Sequence, residues 1–185
     1  MLYADCRLRV LTPDDSARVL SWRNQDRVRA GMYSDHIITQ DEHDRWFAAA
    51  LIDATAAYYI FEHQDRPLGF VSFTGISRVH NRCTWAFYLG EADSPRGSGA
   101  TMELLALDEA FGVIGIGKLC CEVFVFNAGV VRLHHRFGFL EEGRFVNHYR
   151  KNGEMQDIVC LARFAANWPT DRVPLMATVF EGASA

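Results

Sequence analysis

The sequence predicts an α/β chain of the α+β kind: a mixed, mostly antiparallel sheet of about seven strands with helices on its flanks. Three observations carry this. Ala57 to Glu62 and Leu68 to Ile76 are aromatic and β-branched runs joined by His63-Gln64-Asp65-Arg66-Pro67, the pattern of a hairpin, and a third run from Cys83 to Leu89 extends it. Thr84 to Met102 reads as a strand, a short acidic loop and glycines opening onto a helix, and a second strand, KLCCEVFVF at 118 to 126, follows that helix. Such a strand–helix–strand unit is predicted parallel and right-handed, with the glycine loop at the carboxyl end of its first strand. Phe139 to His148 and Met155 to Leu161 make a last hairpin around Lys151-Asn152-Gly153.

The elements follow in order. Cys6 to Leu11 alternates charged and aliphatic residues, a strand at period two. Thr12-Pro13-Asp14-Asp15 supplies a cap, a proline at the first helical position and early acids, so a helix runs to about Arg23 with Val19, Leu20 and Trp22 inward. The stretch from Trp22 to Ile37 is polar and aromatic, a loop. Thr39-Gln40-Asp41-Glu42 is a capping box that starts a second helix through Trp46 and Phe47 to about Leu51. From Gly99 to Val113, Met102, Leu105, Ala106, Ala110 and Val113 recur at helical spacing and predict one face packed on the sheet. The run from 118 to 126 suits a strand buried on both faces. Asn127 caps a further helix carrying Val130, Val131, Leu133 and His134 and closing at Gly138. Residues 1–168 form one domain, and from Pro169 to 185 a polar-ended tail is expected.

Composition bounds the function. A chain of 185 residues is one domain that buries about 70% of its unfolded surface. A formal charge of −4, from 19 basic and 23 acidic residues without blocks, excludes nucleic acid and anionic lipid as bulk partners. Five cysteines, Cys6, Cys83, Cys120, Cys121 and Cys160, show no C-x-x-C pair and no metal spacing, and read as reduced thiols with no metal expected. No apolar run approaches the roughly 18 residues of a membrane span and no signal peptide is evident, so a cytoplasmic protein is expected. An exposed strand edge after Met155 points to a homodimer.

The glycine loop is the chemical signal. Gly97 and Gly99 leave the backbone N–H groups of Arg96, Gly97, Ser98, Gly99, Ala100 and Thr101 uncovered at a helix N-terminus, where a pyrophosphate is the natural occupant. Two glycines also simply let a strand turn into a helix.

This order of elements over residues 5 to 165 resembles the GNAT acetyltransferase superfamily. Gly97 and Gly99 match its loop pattern, with Ser94 where Gln or Arg is usual; Asn127, Leu133, Gly138 and Phe139 match its second signature, with Val130 and His134 where alanine and tyrosine are usual. The resemblance implies acetyl-CoA as co-substrate, its pyrophosphate on the 96 to 101 amides. Its pantetheine arm would lie between splayed, parallel fourth and fifth strands ending at Leu89 and Phe126, with Tyr88, Leu89 and Asn127 beside it. The N–H near Leu89 would hold the oxyanion. Trp22-Arg23-Asn24, Met32-Tyr33, His43, Thr74 and Tyr88 further resemble the PseH/FlmH-type sugar N-acetyltransferases of pseudaminic acid synthesis. That likeness implies the 4-amino group of a UDP-linked 2-acetamido-4-amino-2,4,6-trideoxyhexose as acceptor, and a product for flagellin glycosylation. Two alternatives stand beside it: acetylation of a protein N-terminus such as a ribosomal protein's, and a non-catalytic acetyl-CoA-binding module.

Acetyl transfer to an amine needs a neutral amine, a held oxyanion and a proton for the departing thiolate. His134, two helical turns beyond Asn127 on the same face, is the candidate acid; an imidazolium near 6.5 is a stronger acid than a phenol near 10. Glu122 is a carboxylate in an apolar strand, costly there unless it takes the ammonium proton or pairs with an arginine on the polar face. Arg23, Asn24, Tyr33 and His43 would cover the acceptor, with Arg23 on the diphosphate and an aromatic on the uracil. Thr74 and Tyr88 either face the same cleft or form a cross-strand pair.

Overall fold

The structure, a computed structural model, describes residues 1–180. Its strands are β1 (Cys6–Val10), β2 (Ala57–His63), β3 (Arg66–Ser77), β4 (Arg82–Leu89), β5 (Lys118–Phe124), β6 (Leu140–Lys151) and β7 (Glu154–Phe164). Its helices are α1 (Ser16–Arg23), α2 (Asp26–Arg29), α3 (Gln40–Ala50), α4 (Ser98–Asp108), α5 (Ala128–Arg136) and α6 (Trp168–Phe180). The seven strands form one sheet in the order β1-β2-β3-β4-β5-β7-β6. Every neighbouring pair is antiparallel except β4 and β5.

Local chemistry sets most boundaries. Thr39 and Glu42 exchange side-chain and backbone hydrogen bonds at the start of α3. Gln64 and Asp65 both take positive φ in the β2–β3 turn, and Asn152 and Gly153 do so between β6 and β7, the left-handed geometry that lets a two-residue turn follow the strand twist. The main core lies on one sheet face, where Phe61, Phe73, Trp85, Leu119 and Leu161 meet α4 and the Phe137–Phe139 corner. A smaller cluster on the other face, Val19, Trp22, Phe47, Ile60 and Phe70, seats α1 and α3.

Six expectations need correction. The loop from Trp22 to Ile37 contains the single turn α2. Leu104, Leu105, Ala106 and Leu107 are consecutive and all buried, so α4 is enclosed rather than packed by one face. The reason is α6: the stretch from Pro169, expected as a tail, is helical to Phe180 and covers the outer side of α4, while residues 181–185 lie outside the described ones. Trp168 Nε1 and Arg172 Nε donate to Asp108 Oδ1 at 3.0 and 2.6 Å and fix that docking. Val113 is 73% exposed, because the turn Glu109–Ile114 widens to π-helical spacing and rotates it off the buried stripe.

The strand β5 alternates instead of being buried on both faces: Leu119, Cys121 and Val123 are buried and Glu122 is exposed. The layer of α1 and α3 seats on β2 and β3 and leaves this face of β5 open. Finally, the edge strand is β6, exposed along its length except at Lys151, whereas the strand after Met155 is interior, between β5 and β6.

Candidate active site

The cleft arises where two strands part. The pair β4 and β5 is in register only from Arg82 to Thr84 against Lys118 to Cys120. Beyond that, β4 stays on β3 as far as Leu89 and β5 stays on β7 as far as Phe124. The opening is a cleft of about 410 Å³ between Phe87 and Leu89 on one side and Val123 and Phe124 on the other.

The register decides which amide faces it. Gly90 N donates to the Leu68 carbonyl at 2.7 Å, so Leu68 and Gly90 are a hydrogen-bonded pair. Leu89, opposite Gly69, is then a non-hydrogen-bonded position of the β3–β4 ladder, and its N–H turns toward the diverged β5. Its carbonyl, on the same edge of the strand, accepts from Arg27 Nη1 at 2.8 Å and ties α2 to the strand end. Gly90 is obligatory for space: a Cβ there would lie 2.0 Å from the Trp22 ring.

At the mouth, Gly97 caps α4 with φ of 94°, a conformation L side chains rarely adopt. A Cβ at Gly97 would meet nothing within 4 Å, and one at Gly99 only Leu133 at 3.9 Å, so a bare, open cradle precedes the helix. Not all six expected amides serve it. Ser98 N donates to Pro95 O at 3.1 Å and Thr101 N to Gly97 O at 3.0 Å, and both of these side chains are buried. Gly99 and Ala100, in the first turn, present the N–H groups, with Arg96 exposed beside them. A cradle that a Cβ would fill, at a positive helix end, fits the pyrophosphate of acetyl-CoA. Ser94 Oγ donates to Glu91 O at 2.7 Å and closes the loop, which accounts for its departure from the superfamily pattern.

His134 and Asn127 of the α5 segment both line the cleft. The Asn127 side chain makes no capping bond; its carbonyl instead accepts from Val130 and Val131 at 3.0 and 3.1 Å. His134 is 2% exposed, its ring among Trp85, Phe87 and Phe139 at 5.4, 5.8 and 4.8 Å between centroids. Its Nδ1 is 2.8 Å from Glu103 Oε1. Glu103 is fully buried in α4, and burial pushes its carboxyl above the usual range, partly offset by His134. The sequence reading missed Glu103. Its signal was a carboxylate set between Met102 and Leu104 in a buried helix.

Glu122 lines the cleft from β5 and accepts a hydrogen bond from the Tyr33 hydroxyl, not from an arginine. Burial first, then the Glu122 carboxylate, holds that phenol well above its ordinary pKa, so it stays a donor. The Tyr33 ring has one face stacked on Tyr149 at 4.1 Å and meets Phe124 edge to face. The loop carrying it is pinned by Lys151, whose Nζ donates to the carbonyls of Arg29 and Met32 at 2.7 and 2.5 Å.

Of the remaining candidates, Asn24 and His43 hold the frame, while Tyr88 lines the cleft. Asn24 donates to Ile38 O and accepts from Ile38 N at 2.9 and 2.8 Å, which uses both ends of its amide. His43 is buried, its Nε2 3.1 Å from Ser16 Oγ, tying α3 to α1. Arg23 Nη2 donates to Ser34 Oγ at 2.8 Å, while its Nη1 and the Tyr88 hydroxyl are buried without a partner among the described residues. Burial lowers the Arg23 pKa and raises that of Tyr88. Thr74 lies opposite Thr84, whereas Tyr88 lies opposite Phe70 and stacks on it. Four residues of strand, about 13 Å, separate the two sites, so Thr74 and Tyr88 do not share a cleft.

Comparison with known proteins matches residues 5–140 to the model of an acetyltransferase (GNAT) domain. Spermidine N(1)-acetyltransferase of Vibrio cholerae is 24% identical over 152 residues, 82% of this chain and 88% of that protein. The Escherichia coli K12 protein of the same name is 22% identical over 112 residues, 60% of each chain. Among solved structures, the Vibrio cholerae spermidine N-acetyltransferase in complex with CoA and spermine superposes with a TM-score of 0.84 at 21% identity, covering 90% of this chain and 99% of that one. A dodecameric form of the same enzyme, described as an intermediate state, gives 0.78 at 21% identity over 89% and 96%. These relatives overturn the expected acceptor. They are named for spermidine, so the UDP-linked aminosugar, the pseudaminic acid and flagellin connection and the PseH/FlmH-type likeness are withdrawn. With an acetyltransferase model matched from β1 to the start of β6 and a cradle that suits its co-substrate, this chain belongs to the GNAT family and is an acetyl-CoA-dependent N-acetyltransferase.

Proposed function

We propose that this N-acetyltransferase acetylates a primary amine of an aliphatic polyamine by direct attack. The observation that carries the reading is the Glu122 carboxylate, an anion on the cleft floor held by Tyr33, in a chain whose relatives are named for spermidine over most of their length. A polyamine is an ammonium on an apolar stem, and a carboxylate beside Phe124 and Val123 suits both parts.

When bound, acetyl-CoA supplies the activated acetyl group. The Gly99 and Ala100 amides hold its pyrophosphate. The Leu89 N–H holds the carbonyl oxygen as negative charge develops. Glu122, directly or through water, takes the proton of the attacking amine, and His134 delivers one to the departing sulfur. The five free cysteines fit a reducing, cytoplasmic setting, and the open edge of β6 is the surface through which copies of the chain would join. Among the described residues no helix is long and apolar enough to cross a membrane.

The test is thiol release from acetyl-CoA with spermidine, spermine and a shorter diamine, products being identified by mass. Mono-acetylated spermidine is expected. Tight CoA binding with no acetylated polyamine between pH 6 and 9 would remove the acceptor assignment.

A further inference from the structure

We infer that Glu103 is a positioning residue for His134, holding Nδ1 through one shared proton so that Nε2 is the atom that works in the cleft. The inference rests on the acetyl-transfer reading and names a residue outside the superfamily motifs. Three observations meet at this pair. Nδ1 and Oε1 are 2.8 Å apart, both side chains are buried, and His134 lines the cleft while Glu103 does not. The pair also bridges two helices, α4, which presents the phosphate cradle, and α5, which presents the imidazole.

A buried carboxylate costs stability unless its partner is good, and Glu103 Oε2 has no partner among the described residues. For packing alone, a leucine like its neighbours would serve better. The arrangement has a chemical use instead. Holding two protons, the pair presents Nε2–H to the cleft whichever side of the 2.8 Å bond the inner proton occupies. His134 Nε2 then gives its proton to the sulfur, which keeps the electron pair of the carbon–sulfur bond as that bond breaks and the carbon–nitrogen bond forms. The pair is left with one proton on Nδ1, and water in the cleft restores the other. The remaining ionisable neighbours are Arg136 of α5, which favours the carboxylate, and Cys121 of β5, which burial beside that carboxylate keeps as a thiol. Trp85 of β4 and Phe139 contribute rings without charge.

The test reads the imidazole nitrogens by NMR in the protein alone, with neither acetyl-CoA nor amine, in wild type and Glu103→Gln. Wild type is expected to show His134 protonated on Nε2, with the proton between Nδ1 and Glu103 strongly deshielded. Glu103→Gln should lose the deshielding, lower kcat about 10–100-fold, as for other residues that orient a working histidine, and leave CoA affinity within about twofold. A wild-type His134 with Nε2 unprotonated, or with no deshielded proton between Nδ1 and Glu103, overturns the inference without recourse to any variant. So does a variant with unchanged kcat and unchanged nitrogen signals. Because the nitrogens are read without substrate, failure of the polyamine assignment leaves this arm decisive.

Discussion

If Gly99 lines the co-substrate's cradle as proposed, protein stability and co-substrate binding pull in opposite directions there, and Gly99→Ala separates them. The residue sits in the first turn of α4, its φ is not left-handed, and an added Cβ touches only Leu133 at 3.9 Å. Alanine there removes backbone freedom from the unfolded chain and fits the helix, a gain of about 0.5–1 kcal/mol. In a chain this long that is a rise of about 1–4 °C in Tm. The same methyl covers the Gly99 and Ala100 amides. Losing one hydrogen bond to a charged phosphate costs about 1.5–3 kcal/mol, which is about 10–100-fold in Kd. Thermal unfolding without ligand and calorimetric titration with CoA give both numbers from one preparation. Gly97→Ala is the contrast: its φ of 94° makes any Cβ strained, so Tm falls by an amount set by about 1–3 kcal/mol. A Gly99→Ala protein that is more stable and binds CoA as tightly as wild type would refute the cradle, since the amides would then be covered without consequence.

Other perturbations test the acceptor side and the buried pair. Tyr33→Phe keeps the stack on Tyr149 but removes the donor to Glu122, and kcat/KM for the amine should fall about 3–10-fold, one hydrogen bond's worth; an unchanged value in steady-state kinetics would free Glu122 from Tyr33. Lys151→Met fills the same space without bonding the carbonyls of Arg29 and Met32. Hydrogen exchange in residues 29–33 should quicken at least tenfold, and KM for the amine should rise while KM for acetyl-CoA does not. Burial raises the Glu103 pKa, so the folded chain retains a proton that the unfolded carboxyl loses near 4.3. The stability this provides is full below the unfolded value and is lost as pH rises through the folded one. The Tm of Glu103→Gln relative to wild type should therefore climb as pH rises above the unfolded value, and a flat difference by calorimetry would contradict the buried ionisation.

What could be read from the sequence was local. The Thr39–Glu42 box, the Asn152-Gly153 turn and the Gly97-x-Gly99 loop each set backbone geometry within a few residues, and each appears where expected. Glu122 announced itself as a carboxylate in an apolar strand, but its partner Tyr33 lies 89 residues away, a distance no spacing rule spans. Glu103 stayed hidden because its helix is buried all round, so a polar residue there breaks no amphipathic pattern. The helix α6 was missed because the stretch from Pro169 reads as a polar-ended tail, although Pro169 stands at the helix's second residue, where no intrahelical donor is lost.

The acceptor was misread for a structural reason. Trp22-Arg23-Asn24 looked like a substrate-reading motif, yet each side chain bonds to the frame: Trp22 Nε1 to Glu91 at 2.9 Å, Arg23 to Ser34, and Asn24 to both sides of Ile38. The Trp22 ring also packs against Gly90, next to the Leu89 amide proposed to hold the carbonyl oxygen. The three residues thus brace the strand end that carries the proposed oxyanion amide, and a brace of that kind serves unrelated acceptors equally. Asn24→Ala tests it. Loss of two hydrogen bonds at about 0.5–1.5 kcal/mol each predicts a destabilisation of about 1–3 kcal/mol, a drop of several degrees in Tm, and kcat lowered by one common factor for spermidine, spermine and a shorter diamine. A variant that kept its Tm but lost one amine selectively would return Asn24 to the acceptor site and undo the argument.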